Sequence, residues 1–178
     1  MVAQARETVN AQTLTSKSLI VTTIQHNHRS ITLKGSSQAF LLHELREQCS
    51  DASVRFGCGT EHCGACTVLV DGVAQNSCSL PVWAAEGRHV QTAQGLSEDP
   101  IGRVVLQAFI DEQAAQCGYC VSGILMRVTG LLQQHPDANE ALIRDTLSRH
   151  LCRCGAHARI LRAVRLAQKN LSHVSSLT

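Results

Sequence analysis

Large aromatic side chains are scarce in this chain of 178 residues: Phe40, Phe56, Trp83, Phe109 and Tyr119 are the whole set. Rings therefore supply little of any core. Proline is rarer still, at three residues. No apolar run approaches the roughly 18 residues that a membrane-crossing helix requires. The formal net charge of +2 is too small to indicate a nucleic-acid partner by itself. The N-terminus, Met1-Val2-Ala3-Gln4-Ala5-Arg6-Glu7-Thr8, lacks the apolar core of a secretory signal, so a cytoplasmic location is expected, with export as part of a complex left open. Disorder is disfavoured by a hydrophobic content of 44%.

The length allows one ordinary domain or two small ones. Two small domains bury little surface each and call for staples such as disulfides or metals. Cysteine is what the chain has in plenty, with nine residues. An odd number leaves a thiol over in any complete disulfide framework. Clustered cysteines in a cytosolic chain point to metal binding or catalysis. They fall at Cys49, then Cys58, Cys63, Cys66 and Cys78, then Cys117, Cys120, Cys152 and Cys154. That is one outlier and two sets of four.

Patterning divides the chain at about the same place. Residues 1–17 are polar, without periodicity, and read as an N-terminal extension. Leu19 to Ile24 is β-branched, His26-Asn27-His28-Arg29 is a turn, and Ile31-Thr32-Leu33 returns, which predicts a hairpin. Residues 38–48 carry Leu41, Leu42 and Leu45 at helical spacing. Thr67 to Val70, the Asp71-Gly72 turn and Val73-Ala74 predict a second hairpin, and His89 to Thr92 a further strand. Beyond Gly95 to Pro100 the period becomes helical. Four helices are predicted, carried by Ile101 to Phe109, Ile124 to Leu132, Leu142 to Leu151, and Ile160 to Leu171. The expected fold class is α+β, with a small α+β domain at 18–95, a four-helix bundle domain at 96–172 and a C-terminal tail at 173–178.

The first set of cysteines reads Phe56-Gly57-Cys58-Gly59-Thr60-Glu61-His62-Cys63-Gly64-Ala65-Cys66, with Cys78 beyond. C-x4-C-x2-C followed by a distant C is the plant-type [2Fe–2S] spacing. Four thiolates and an oxidised cluster form a dianion, which backbone N–H groups folded around sulfur can hold. Gly57, Gly59 and Gly64 give the loop the freedom to do so. A structural zinc site would more often show two C-x2–4-C pairs. His62 reads as a loop-surface residue.

In the second set, Cys117-Gly118-Tyr119-Cys120 runs into one predicted helix, and Cys152-Arg153-Cys154 precedes another. Helix N-termini present free N–H groups and a positive dipole end to an anion. Spacing alone leaves open a [2Fe–2S] cluster on Cys117, Cys120, Cys152 and Cys154, or zinc on Cys117, Cys120, Cys154 and His157.

Taken together, Phe56-Gly57-Cys58-Gly59, Cys63-Gly64-Ala65-Cys66-Thr67-Val68, Gln116-Cys117-Gly118-Tyr119-Cys120 and Leu151-Cys152-Arg153-Cys154 resemble the small iron–sulfur subunit of the molybdenum hydroxylases. This is the xanthine oxidase, aldehyde oxidoreductase and carbon monoxide dehydrogenase family, and the likeness covers about residues 18–170. It implies a β-grasp, plant-type ferredoxin-like domain followed by the four-helix domain, each with a [2Fe–2S] cluster. It implies an electron-transfer subunit of an oxidoreductase whose hydroxylation chemistry lies on another chain. Electrons would enter from molybdopterin in a large partner subunit, pass through the helical-domain cluster and then the ferredoxin-domain cluster, and leave to FAD or a cytochrome haem in a further partner. By the same resemblance Gln116 would hydrogen-bond the pterin and Cys154 would lie close to it.

Three segments depart from the family pattern: Val121-Ser122-Gly123 for Thr-Pro-Gly, Arg149-His150 for Gly-Asn, and Gly155-Ala156-His157 for Thr-Gly-Tyr. Serine in the proline position is similar to bacterial N-heteroaromatic hydroxylases of the isoquinoline and nicotinate types. Two rivals stand beside this reading, a free-standing [2Fe–2S] electron-transfer protein and a zinc-bound interaction module. Cys49 is expected to be a packing residue. His150 and His157, flanking the last two cysteines, are expected to face the pterin or the large subunit, and Arg153 could offset cluster charge.

Overall fold

A computed structural model describes residues 19–175. The expected extension at 1–17 lies outside the described residues. β1 (Leu19–His26) and β2 (Arg29–Ser36) pair antiparallel from Leu19 opposite Ser36 to His26 opposite Arg29. Asn27, at φ 53°, makes the turn that its tolerance of the left-handed region allows. β3 (Thr67–Val70) and β4 (Val73–Asn76) form the second hairpin around Asp71-Gly72, both with positive φ, as a two-residue turn requires. β5 (His89–Gln91) runs parallel to β1 and antiparallel to β3, giving a mixed sheet in the order β2-β1-β5-β3-β4.

α1 (Leu41–Glu47) buries Leu41, Leu42 and Leu45 against Ile24, Leu33, Val68, Val70 and Val90 of the sheet. Fully burying such aliphatic side chains stabilises by about 1.5–3 kcal/mol each before entropy is counted. On the outer strand, the Gln48 side-chain amide accepts from Lys34 N and donates to Lys34 O, both at 2.9 Å.

Four helices follow. α2 (Pro100–Asp111) begins at Asp99, whose carboxylate accepts from Gly102 N, with proline in the first turn where its missing N–H does no harm. α3 (Val121–Gln134) is the central helix. Ile124, Leu125, Met126, Val128, Leu131 and Leu132 on it are all buried. α4 (Glu140–Leu147) is capped by Asn139, which accepts from Leu142 N at 2.9 Å. α5 (His157–Ser175) packs on α2. The expected third helix stops short of Leu151. The chain leaves α4 at Ser148, and Leu151 is 62% exposed with its N–H turned towards Cys63.

The sheet and the helices meet through β3. All four of its residues are buried. Val68 and Val70 point into the core under α1, whereas Leu69 joins the helical core with Ile124, Val128 and Leu131. The strand is thus one wall with a core on each side. α3 is held to this hairpin by Arg127 Nη1 donating to Ala74 O at 3.2 Å and by Gln134 Nε2 donating to Gly72 O at 3.3 Å.

Candidate metal centres

The loop of Cys58 to Cys66 leaves the region of α1 and enters β3, so the sheet fixes its far end. Its backbone folds inward onto sulfur. Thr60 N and His62 N point at Cys58 Sγ at 3.4 and 3.2 Å, and Cys58 N points at Cys63 Sγ at 3.3 Å. Glu61, a non-glycine at φ 64°, helps the turn that aims them. Gly57 has another role than turning. A Cβ on it would collide with Cys63 Sγ. The slight desolvation of Cys58 works against its ionising, but the hydrogen bonds at Thr60 and Cys63 outweigh it and bring the thiol down to about 6. Cys66 and Cys78 lie deeper, 2% and 5% exposed, and their thiols interact. Burial pushes Cys66 up to about 12. The set is therefore two pairs, Cys58 with Cys63 towards solvent and Cys66 with Cys78 in the core.

The second set pairs in the same way. Cys117 interacts with Cys154, and Cys120 with Cys152. Cys120 ends the loop before α3, and burial pushes its thiol up to about 12. For Cys152, burial is outweighed by hydrogen bonds from the backbone of Ala156 and its neighbours and by the contact with Cys120, so its thiol is held down. For Cys117, the backbone at Tyr119 has the largest effect and lowers the thiol. Cys152, and not the exposed His157, completes the pairing. Paired thiols with N–H groups directed at sulfur suit a two-iron unit that takes two thiolates at each iron. The donor set of both sites thus fits a [2Fe–2S] cluster.

The two loops touch. Leu151 N donates to Cys63 O at 3.2 Å, and Tyr119 Oη donates to Phe56 O at 2.5 Å. The expectation that His150 faces the pterin or a partner is corrected here. His150 is 4% exposed, its ring lying against Gly64 and its Nε2 at 3.3 Å from Thr67 Oγ1. Burial, with the Arg127 guanidinium adding to it, lowers its pKa to about 4. The wedge is possible because Gly64, at φ +70°, has no side chain. A Cβ there would meet the ring at 2.5 Å. Gly123, in the first turn of α3, lies directly on the carbonyl of Gly64. No pattern in the sequence marks His150, Gly123 or Leu151 for this contact. The close-approach glycines are the available signal.

Gln116 and Arg153 are exposed and His62 is a surface residue. Ser122 Oγ is enclosed without a hydrogen-bond partner. Cys49 lies apart, packed against the α1 core, with its thiol pushed up to about 11 by burial and then by the Asp51 and Glu44 carboxylates. Arg162 and Arg165 pair with Glu112 and Glu140. No helix among the described residues is long and apolar enough to cross a membrane.

Residues 24–97 match the family model of the 2Fe-2S iron-sulfur cluster binding domain, and residues 92–165 that of the [2Fe-2S] binding domain. The chain is 45% identical over 144 residues to one of the subunits of nicotinate dehydrogenase from Pseudomonas putida, covering 81% of this chain and 92% of that one. It is 42% identical over 130 residues to the alpha subunit of isoquinoline 1-oxidoreductase from Brevundimonas diminuta, covering 72% and 84%. In structure it is similar to a chain of quinoline 2-oxidoreductase from Pseudomonas putida 86, with a TM-score of 0.79 at 28% identity, covering 86% of this chain and 96% of that one.

Proposed function

The chain belongs to the family of small [2Fe–2S] subunits of the molybdenum hydroxylases, and from that premise we propose that it relays single electrons from a molybdopterin centre on a partner subunit to an FAD or cytochrome acceptor. A subunit of this family is part of an oxidoreductase complex. The proposal places one cluster on Cys58, Cys63, Cys66 and Cys78, in a β-grasp domain at 18–95. The other sits on Cys117, Cys120, Cys152 and Cys154, in a four-helix domain at 96–172. When bound, each cluster takes up and gives back one electron without moving a proton.

The observation that carries this reading is the pairing of the thiols, two pairs to a site, with the two loops in direct contact. The protein's part is to hold sulfur in place. Thr60 and His62 direct N–H groups at Cys58, the backbone at Tyr119 serves Cys117, and the backbone of Cys154, Gly155 and Ala156, just ahead of α5, serves Cys152. Gln116 and Cys154, near the outer end of the second set, are the residues proposed to meet the pterin. The large subunit binds substrate and carries out the hydroxylation. An N-heteroaromatic ring is the proposed substrate class, supported by the nicotinate, isoquinoline and quinoline enzymes to which the chain is similar.

Iron and sulfide analysis of the purified complex tests the assignment. Two clusters require four irons and four sulfides per chain, and two distinct EPR signals after reduction by dithionite. Stoichiometric zinc in place of the second cluster would overturn it. Isolation of the native protein as a monomer of 19.2 kDa would favour a free-standing electron carrier.

A further inference from the structure

Among the described residues, and besides the His150 ring on Thr67, two hydrogen bonds join the Cys58–Cys66 loop to the other cysteine set, and they are not equivalent. The Tyr119 phenol reaches Phe56 O, but neither residue carries a thiol, and the phenol lies at the end of a long side chain. The other bond runs from Leu151 N to Cys63 O at 3.2 Å. Its acceptor is the main-chain carbonyl of a cysteine in the first set. Its donor belongs to the residue bonded to Cys152 of the second set. From Cys152 sulfur the path goes down the side chain and back one peptide to the Leu151 N–H. It crosses the hydrogen bond and climbs the main and side chain of Cys63 to its sulfur. Every step but the hydrogen bond is covalent.

The surroundings hold this contact from three sides. Gly64 O, the next carbonyl, accepts from Thr67 N at 3.2 Å and Thr67 Oγ1 at 2.8 Å, which fixes the Cys63–Gly64 segment to the start of β3. The His150 ring fills the space over Gly64 and reaches Thr67 Oγ1, while its main-chain N–H is tied to Leu147 O at 2.9 Å. Gly123 presses α3 onto the same carbonyl. A side-chain-locked peptide contact is more than packing demands of Leu151, whose own side chain is exposed.

The geometry points to the Leu151 N–H···O=C Cys63 hydrogen bond as the crossing by which an electron passes between the two cysteine sets, with His150 as the positioning residue that keeps it closed. This rests on the relay function proposed above. One electron crosses. The site of Cys152 is oxidised by one electron, the site of Cys63 is reduced by one, and no bond is made and no proton moves. The reductant is the partner's molybdenum centre in turnover and dithionite or a photoreductant in the experiment.

The test uses the assembled holo-complex. Leu151→Pro deletes the donor, His150→Ala removes the wedge, His150→Asn restores a polar side chain there, and Tyr119→Phe removes the other bridge. Iron content and the two EPR signals establish that both clusters are present and undisturbed. Flash photoreduction followed by rapid-freeze EPR then reads the rate of equilibration between clusters, and hydrogen exchange by mass spectrometry reads protection of the Leu151 amide. Leu151→Pro is expected to slow equilibration severalfold at unchanged signals. His150→Ala is expected to speed exchange of the Leu151 amide and slow equilibration together, with partial recovery in His150→Asn, and Tyr119→Phe to leave equilibration as in the wild type. Wild-type equilibration in Leu151→Pro would overturn the inference, as would slowing in Tyr119→Phe alone. Should Leu151→Pro lose its clusters, His150→Ala decides: faster amide exchange with an unchanged equilibration rate overturns it. Failure of the relay reading shows separately, in the wild type, as a complex with fewer than two signals or with clusters that substrate never reduces.

Discussion

Gly123, on the first turn of α3, sits so close to the carbonyl of Gly64 that no Cβ fits between them. One glycine is in the helical half and the other in the loop between Cys63 and Cys66, so the absence of a side chain sets how near the two loops come. Gly123→Ala must push backbone against backbone. A loss of about 1–3 kcal/mol is expected from such overpacking, read as a lower unfolding midpoint of the complex. A neutral result would show that α3 can shift outward freely.

Leu69 is the residue of β3 that faces the helices, fully buried among Ile124, Val128 and Leu131. Leu69→Ala is expected to cost about 2–5 kcal/mol. Because Val68 and Val70 on the same strand serve the other core, both halves should melt in one shared transition at a lower temperature. Two separated transitions by calorimetry would contradict this.

Asp51 is fully buried, between His26 Nε2 at 3.0 Å, Thr92 Oγ1 at 2.5 Å and Ser53. Burial alone would raise its pKa, but the hydrogen bonds from His26, Ser53 and Thr92 prevail and lower it from 3.8 to about 2. The folded pKa is depressed, so the stabilisation is present in full above about pH 4 and is lost as pH falls towards 2. Over that window it amounts to about 2 kcal/mol. Asp51→Asn should therefore be less stable by about this much at pH 6, and the gap in urea midpoint should narrow below pH 4. A gap that stayed constant with pH would mean the carboxylate charge is not what stabilises.

Cys58 lies at the solvent-facing end of the first set, and Cys66 and Cys78 lie in the core. Cys58→Ser is expected to stall delivery of electrons to the acceptor while leaving reduction of the partner's molybdenum by substrate intact, followed by stopped-flow absorbance and EPR. Losing both steps together would count against the proposed order of transfer.

Much of the fold can be read from residue pattern. The hairpin turns at Asn27 and at Asp71-Gly72, the strands they join and the helical period of α2, α3 and α5 follow from local chemistry. The two sets of cysteines follow from spacing. Leu151 reads as helical because it continues the apolar spacing of Leu142, Ile143 and Leu147, but Ser148 ends α4 and the Cys63 carbonyl claims its N–H. His150 reads as facing the pterin or the large subunit because nothing local says that Gly64, far away in sequence, leaves a hollow for its ring. Thr67 to Val70 has no alternation, since a strand buried on both faces needs none, and a short apolar run does not reveal what covers each face. Contact between the halves stays hidden, because local periodicity does not encode it.

β3 also limits what can be done with this chain by cutting or grafting. Severing it between the sheet and the helices, near residues 95–100, would leave Leu69 and the small-residue face of α3 open to water. Either fragment would present an unpaired apolar surface and tend to aggregate. A chimera that exchanges the half built on the sheet with that of a relative must therefore bring α3 along with β3, or redesign both faces at once. The cysteine motifs are portable as text, but β3, buried on both faces, makes the two halves a single hereditary unit.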